Sequence, residues 1–228
     1  MPSGKSFADF LINSCGLRHL HGSNISWALR NLLLEIDLQN FREAHPCQSC
    51  DDRTQMYSYV HESVIKEDPI DYLEFGVYQG DTIRYWTNLD RNRSSRFFGF
   101  DSFEGLPEKW CRTEKGVFST GGAEPQIDDE RVKFIKGWFN ETVPPFARGF
   151  SVKNRLVMHL DADLYSSTMI ALALLGPVMP KGTLLFFDEF FSRDDEFRAL
   201  MDWQSMYGRK FRVVAEVGNF GKICAELL

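Results

Sequence analysis

No stretch of this sequence approaches the ~20 consecutive apolar residues that a membrane-spanning helix needs, so no membrane partner is expected. Residues 1–15 lack the basic start and continuous apolar run of a secretory signal, and the chain is expected to be soluble and cytoplasmic. Positive charge is in deficit: 26 Lys and Arg stand against 32 Asp and Glu, a formal charge of −6. Nucleic-acid binders display basic surfaces, so no nucleic-acid partner is expected either. The five cysteines are odd in number and scattered, which argues against a disulfide framework. Cys47-Gln-Ser-Cys50 has no second pair to complete a tetrahedral zinc site and reads as two thiols in a loop. There is no internal repeat and no low-complexity segment. A complete P-loop, a Gly-x-Ser-x-Gly elbow and a Tyr-x-x-x-Lys pair are all missing, which removes P-loop enzymes, hydrolases of that type and short-chain dehydrogenases.

What is present is 228 residues, 43% hydrophobic, enough for one substantial core. Residues 1–67 carry a helical pattern and are expected to form an N-terminal cap. Ile25, Leu29, Leu32, Leu33 and Ile36 share a helical face behind a cap at Ser23 or Asn24. A second helix is predicted after Asp51-Asp52, with Met56, Tyr59, Val60 and Val64 on its apolar side, ending before Asp68-Pro69. From residue 68 onward the pattern is that of one domain. Seven short apolar runs predict strands at 72–75, 97–100, 132–135, 156–160, 184–187, 211–215 and 223–227, with helices near 82–89, 166–175 and 194–207. The first five runs are too continuously apolar for half-exposed hairpins and suit a parallel sheet covered on both faces. Only the last two strands, joined by Gly218-Asn219-Phe220-Gly221, read as a hairpin. The expected fold is open α/β: a seven-stranded, mostly parallel sheet with a C-terminal antiparallel hairpin.

The first strand runs into a glycine turn, Glu74-Phe-Gly76-Val-Tyr78-Gln-Gly80-Asp81-Thr82. Glycine lets backbone approach a ligand closely, and open α/β sheets bind ligands beyond the carboxyl ends of their strands. The second strand ends at Asp101, placed to bond a ribose diol, with Ser102 and the flat face of Phe103 beside it. These features predict an adenosine-type cofactor. An ordinary strand-to-helix turn, with Asp101 as a turn cap, is the structural alternative.

Two later strands end in acids, Asp161 and Asp163 on one and Asp188 and Glu189 on the other. Strands lie about 4.8 Å apart, so if these two are neighbours their carboxylates converge at one rim. Mutual repulsion there is relieved by a hard divalent cation. Helix capping explains one or two of these acids. His159, between apolar neighbours, reads as a hydrogen-bonded core residue.

Five blocks now stand in order: Leu73–Thr82, Gly99-Phe-Asp-Ser-Phe-Glu-Gly-Leu-Pro-Glu108, Gly137–Pro144, His159-Leu-Asp-Ala-Asp-Leu-Tyr-Ser-Ser-Thr168 and Gly182–Phe190. In these the chain resembles class I S-adenosylmethionine-dependent methyltransferases, and among them the macrocin O-methyltransferase family. The resemblance covers about residues 70–190. It implies a Rossmann-like class I methyltransferase fold, S-adenosylmethionine as methyl donor, Mg2+ or a similar divalent cation, and a small-molecule acceptor hydroxyl, typically on a sugar or glycoside. Carried over by position, it implies that Asp161, Asp188 and Glu189 hold the metal and that Asp163 is the general base. Asp-Glu stands where Asp-Asp or Asp-Tyr is common in the family. Glu74, Gly76, Tyr78, Gly80, Asp81, Thr82, Asp101, Ser102, Phe103, Trp138 and Asp161 fall at cofactor positions. Residues 104–131, long for a connection, are expected to form a lid with Trp110 and Arg112 toward the acceptor. The N-terminal helices are expected to complete the acceptor pocket or to form an interface between copies of the chain. A cofactor-binding protein without chemistry is the alternative reading.

Overall fold

The computed structural model describes residue 32, residues 36–191 and residues 194–228. The chain divides into two compact units, residues 1–44 and 45–228. In the first, residues 36–44 are helical, with Leu38 and Phe41 buried. The predicted face from Ile25 and its cap at Ser23 or Asn24 fall outside the described residues.

The second unit is built on an eight-stranded sheet. Its strands are β1 (Gln48–Cys50), β2 (Ile70–Phe75), β3 (Arg96–Asp101), β4 (Val132–Lys136), β5 (Arg155–Leu160), β6 (Leu184–Phe187), β7 (Phe211–Val217) and β8 (Lys222–Leu227). The order is β1-β7-β8-β6-β5-β2-β3-β4. Only β8 runs antiparallel to its neighbours β6 and β7. The seven predicted strands all form, and all six residues of β2 are buried, as expected of a strand covered on both faces. Lys133 and Lys136 mark β4 as an edge, where charge discourages pairing with another chain.

The eighth strand corrects the expected count of seven. β1 is three residues long, pairs parallel with β7 and buries only Cys50, so no apolar run announces it. Cys50 is thereby a strand residue, and only Cys47 keeps the expected loop position. Burial, with the charge of Glu216 behind it, pushes the Cys47 thiol up to about 11 and Cys50 in the same direction.

The helices are α1 (Arg53–Val60), α2 (Asp81–Leu89), α3 (Phe139–Gly149), α4 (Tyr165–Leu175) and α5 (Glu196–Tyr207). Asp52 caps α1, its carboxylate accepting from the Gln55 amide at 2.9 Å, and a wider turn carries the helix on through His61–Ile65. α3 was not predicted, because Pro144 and Pro145 lie inside it and each removes a helical donor. Aromatic packing outweighs that loss. Phe139 meets Phe75 at 5.5 Å, and Phe146 meets Phe98 at 5.3 Å and Phe100 at 4.9 Å.

Among the described residues, no helix is long and apolar enough to cross a membrane.

Candidate active site

β2, β3, β5 and β6 present their carboxyl ends to one side, and a cavity of about 720 Å³ opens there. Its first wall is the turn after β2. Gly76 has φ +93°, and a Cβ there would fall 1.9 Å from the Asp161 carbonyl oxygen, so backbone passes where no side chain fits. Gly80 caps α2 in the left-handed conformation. Asp101 fixes the turn: one oxygen accepts from the amides of Val77 and Tyr78, both at 2.8 Å, and the other from Phe103 N at 2.7 Å. The carboxylate is thus the turn's clamp while its residue also lines the cavity.

Gly76, Tyr78, Asp81, Thr82, Asp101, Ser102, Trp138, Asp161, Asp163 and Glu189 all line this space. Glu74, Gly80, Phe103 and Asp188 do not. Phe103, expected to offer a face to an adenine, is fully buried, edge-on to Phe134 at 6.1 Å; its own φ of +61° belongs to the turn. Glu74 lies beneath the first turn of α2, where it accepts from Tyr72 Oη at 2.6 Å and from the Ile83 amide. Burial, against those hydrogen bonds, pushes its carboxyl up to about 8.

The two acidic strand ends are neighbours. The Asp161 amide bonds to Phe75 O and the Asp188 amide to Leu160 O, each at 3.0 Å, continuing the β2–β5–β6 ladder. β6 ends at Phe187, so Asp188 and Glu189 are free of strand alternation. Burial raises the Asp161 carboxyl well above its usual range, and the charges of Asp188, Asp163 and Glu74 add to this. Asp163, at φ +60°, is pushed up to about 7 by burial and then by Glu189, Asp188 and Asp195. Lys222 answers part of this charge, donating to Asp188 Oδ2 at 2.6 Å and to the Asp188 carbonyl at 2.8 Å. Asp188 Oδ1 stays buried with no partner. Among the described residues no three potential ligands are already gathered for a metal ion. The chemistry of the set nevertheless fits one: hard oxygen donors, mutually repelling, with one orphaned and buried.

The sequence reading missed two residues. Glu196, at the start of α5, is fully buried; Oε2 accepts from the Glu189 amide at 2.9 Å and Oε1 has no partner. It braces the turn after β6 from behind. Its only sequence signal is an acid in a helix's first turn, which is commonplace. Arg53, the first residue of α1, lines the cavity, and nothing in its surroundings in sequence distinguishes it.

His159 is the core residue expected, bonded through Nε2 to Tyr57 Oη at 2.9 Å and pushed down to about 4 by burial. The segment 104–131 folds back on itself, with Leu106 and Val117 joined by a backbone bond at 2.9 Å. Trp110 lines the cavity and donates through Nε1 to Asp195 at 3.0 Å, while Ser166 donates to Glu108 at 2.8 Å. Arg112 is exposed and does not reach the cavity, against expectation.

Residues 122–216 match the protein family described as macrocin-O-methyltransferase (TylF). The chain is 28% identical over 178 residues to the 8-demethyl-8-(2,3-dimethoxy-alpha-L-rhamnosyl)-tetracenomycin-C 4'-O-methyltransferase of Streptomyces olivaceus, covering 68% of this chain and 66% of that protein. It is 26% identical over 161 residues to the demethyldecarbamoylnovobiocin O-methyltransferase of Streptomyces niveus, covering 59% and 60%. The chain thus spans just under two thirds of the length of these relatives. Among solved structures, that of CalS11, calicheamicin methyltransferase, superposes with a TM-score of 0.58 at 20% identity, covering 77% of this chain and 80% of that one. Its likeness is one of fold. In sheet order the chain has the fold of Rossmann-like methyltransferases, and in its sequence matches it is similar to O-methyltransferases over part of their length.

Proposed function

We propose that the protein transfers the methyl group of S-adenosylmethionine to a hydroxyl of a sugar or glycosylated small molecule. The observation that carries this reading is the single cavity wall shared by the glycine turn and the acids Asp161 and Asp163. The turn, Ser102 and Trp138 supply the adenosine end, and the acids lie where a methyl group and its acceptor would meet. Both curated relatives are O-methyltransferases by name, and one is named for a rhamnosyl substrate.

A sulfonium methyl group is already activated, so the protein has two tasks: alignment of the reactants and removal of a proton. The acceptor oxygen forms a bond to the methyl carbon as the carbon–sulfur bond breaks, leaving S-adenosylhomocysteine and a methyl ether. Asp163 takes the hydroxyl proton. Its raised proton affinity suits a base working near neutral pH. Asp161, Asp188 and Glu189 would hold a divalent cation, which supplies Lewis-acid polarisation and orientation of acceptor oxygens. Trp110 and the segment around it would close the acceptor side.

The test is transfer of an isotopically labelled methyl group from S-adenosylmethionine to a panel of deoxysugar glycosides, followed by mass spectrometry. Label in a sugar ether, dependent on Asp163, supports the reading. Undiminished transfer in excess chelator would remove the cation from it. Bound S-adenosylmethionine without transfer to any acceptor would favour a cofactor-binding protein.

A further inference from the structure

The cavity is lined by acids, and against them stands one cation. Among the described residues lining it, Arg53 is the sole Lys, Arg or His, in company with Asp81, Asp101, Glu108, Asp161, Asp163 and Glu189. Its guanidinium is partly buried and makes no hydrogen bond or ion pair with any described residue. A guanidinium carries five donors, and its neighbours show how they are normally used. Arg84, one turn into α2, donates to Asp81 at 3.0 Å and to the Gly80 carbonyl. Arg53 is felt by Tyr57, Asp188, Asp161 and Asp81, which favour its charge against the cost of burial, yet none of them is bonded to it. A cation is thus held in the wall of the cavity with its donors unused.

We propose that Arg53 anchors the carboxylate of the cofactor's methionine moiety, an assignment that rests on reading the cavity as an S-adenosylmethionine site. That cofactor carries one anionic group. The acids around the cavity repel it everywhere except at Arg53. The geometry of the ends agrees. Asp101, Ser102 and Trp138 lie at β3, β4 and the start of α3, whereas Arg53 responds to Asp161 and Asp188 at the ends of β5 and β6. A ligand whose adenosine rests at the former extends its amino-acid end toward the latter, across the glycine turn. Charge-assisted, forked contact then orients the methionine chain and fixes where the sulfonium sits.

The experiment compares two ligands by titration calorimetry: S-adenosylhomocysteine and its decarboxylated analogue, which keeps the thioether and the amine. The wild-type chain should prefer the carboxylated ligand by at least about tenfold. In Arg53→Gln this preference should collapse, through weaker binding of S-adenosylhomocysteine, with affinity for the analogue kept within about twofold. Arg53→Lys should retain part of it, because charge remains and the fork does not. Arg53→Met provides a second neutral variant if the Gln variant does not fold. A neutral variant that keeps the wild-type preference would overturn the assignment. So would one that binds both ligands normally and loses only affinity for the acceptor, since the guanidinium would then serve an anionic acceptor. Failure of the wild-type chain to bind either ligand would instead overturn the cofactor reading, and this assignment with it.

Discussion

Individual residues in this site are held in unfavourable states, and those states are where it is most easily tested. Glu74 has its carboxyl raised from 4.5 to about 8, so the folded chain keeps a proton that the unfolded chain releases. Its contribution to stability is full below about pH 4.5 and is lost as pH rises through about 8. Glu74→Gln cannot ionise and should therefore gain in thermal stability relative to the wild type from about pH 5 to about pH 9, by several degrees in Tm at the upper end. A stability difference that does not change with pH would contradict the buried-acid account. Asp163→Asn should lower kcat by ~10²–10⁴ while leaving S-adenosylhomocysteine affinity nearly unchanged. In the wild type, activity should rise as pH climbs through about 7, because the base acts ionised, and bound cation should move that midpoint downward. A flat pH profile across that range would remove Asp163 as the base. The glycine turn and the acid pairs were legible in sequence because their residue types are unusual at strand ends. Phe103 was assigned a ligand face because sequence does not reveal that its backbone adopts a positive φ and turns the ring into the core. Arg53 and Glu196 were invisible for the opposite reason: each opens a helix, where charged residues are ordinary.

Elements were legible in proportion to how much apolar surface each had to hide. β2, β5 and β6 are buried along almost their whole length, and continuous apolar runs gave them away. β1 hides one residue and was missed. α3 was missed because two prolines contradict a helix locally, and the contacts that sustain it, Phe139 on Phe75 and Phe146 on Phe98 and Phe100, join residues distant in sequence. Phe146→Ala should therefore cost about 3 kcal/mol in denaturant unfolding, at the lower end for aromatic truncation because the ring is only partly buried. A loss too small to measure would mean that α3 is held by something else. The segment 104–131 meets the helices through Trp110 on Asp195 and Glu108 on Ser166. Trp110→Phe keeps the ring and deletes the donor, so it should raise KM for the acceptor while cofactor affinity stays as it was. It should also leave the segment more open to limited proteolysis when both ligands are present. Identical cleavage in the variant and the wild type, with and without ligands, would count against a lid.

At the scale of the whole molecule, a formal charge of −6 is no evenly spread solubility feature. Asp161, Asp163, Asp188, Glu189 and Glu196 gather at the ends of two adjoining strands and the helix behind them, where burial first and neighbouring charge second raise the proton affinity of Asp161, Asp163, Glu189 and Glu196. Lys222 offsets part of that repulsion from β8, the antiparallel strand that pairs with β6. The antiparallel end of the sheet thereby supplies a charge to a site built by its parallel part. All of this gives purpose to the cavity only if the cofactor enters it. Titration of the chain with S-adenosylhomocysteine tests that most directly, with Gly76→Val as control, since a side chain there collides with the Asp161 carbonyl. The account predicts one binding site per chain in the micromolar range, abolished in a Gly76→Val variant that remains folded. A flat titration of the folded wild-type chain at millimolar ligand would contradict it.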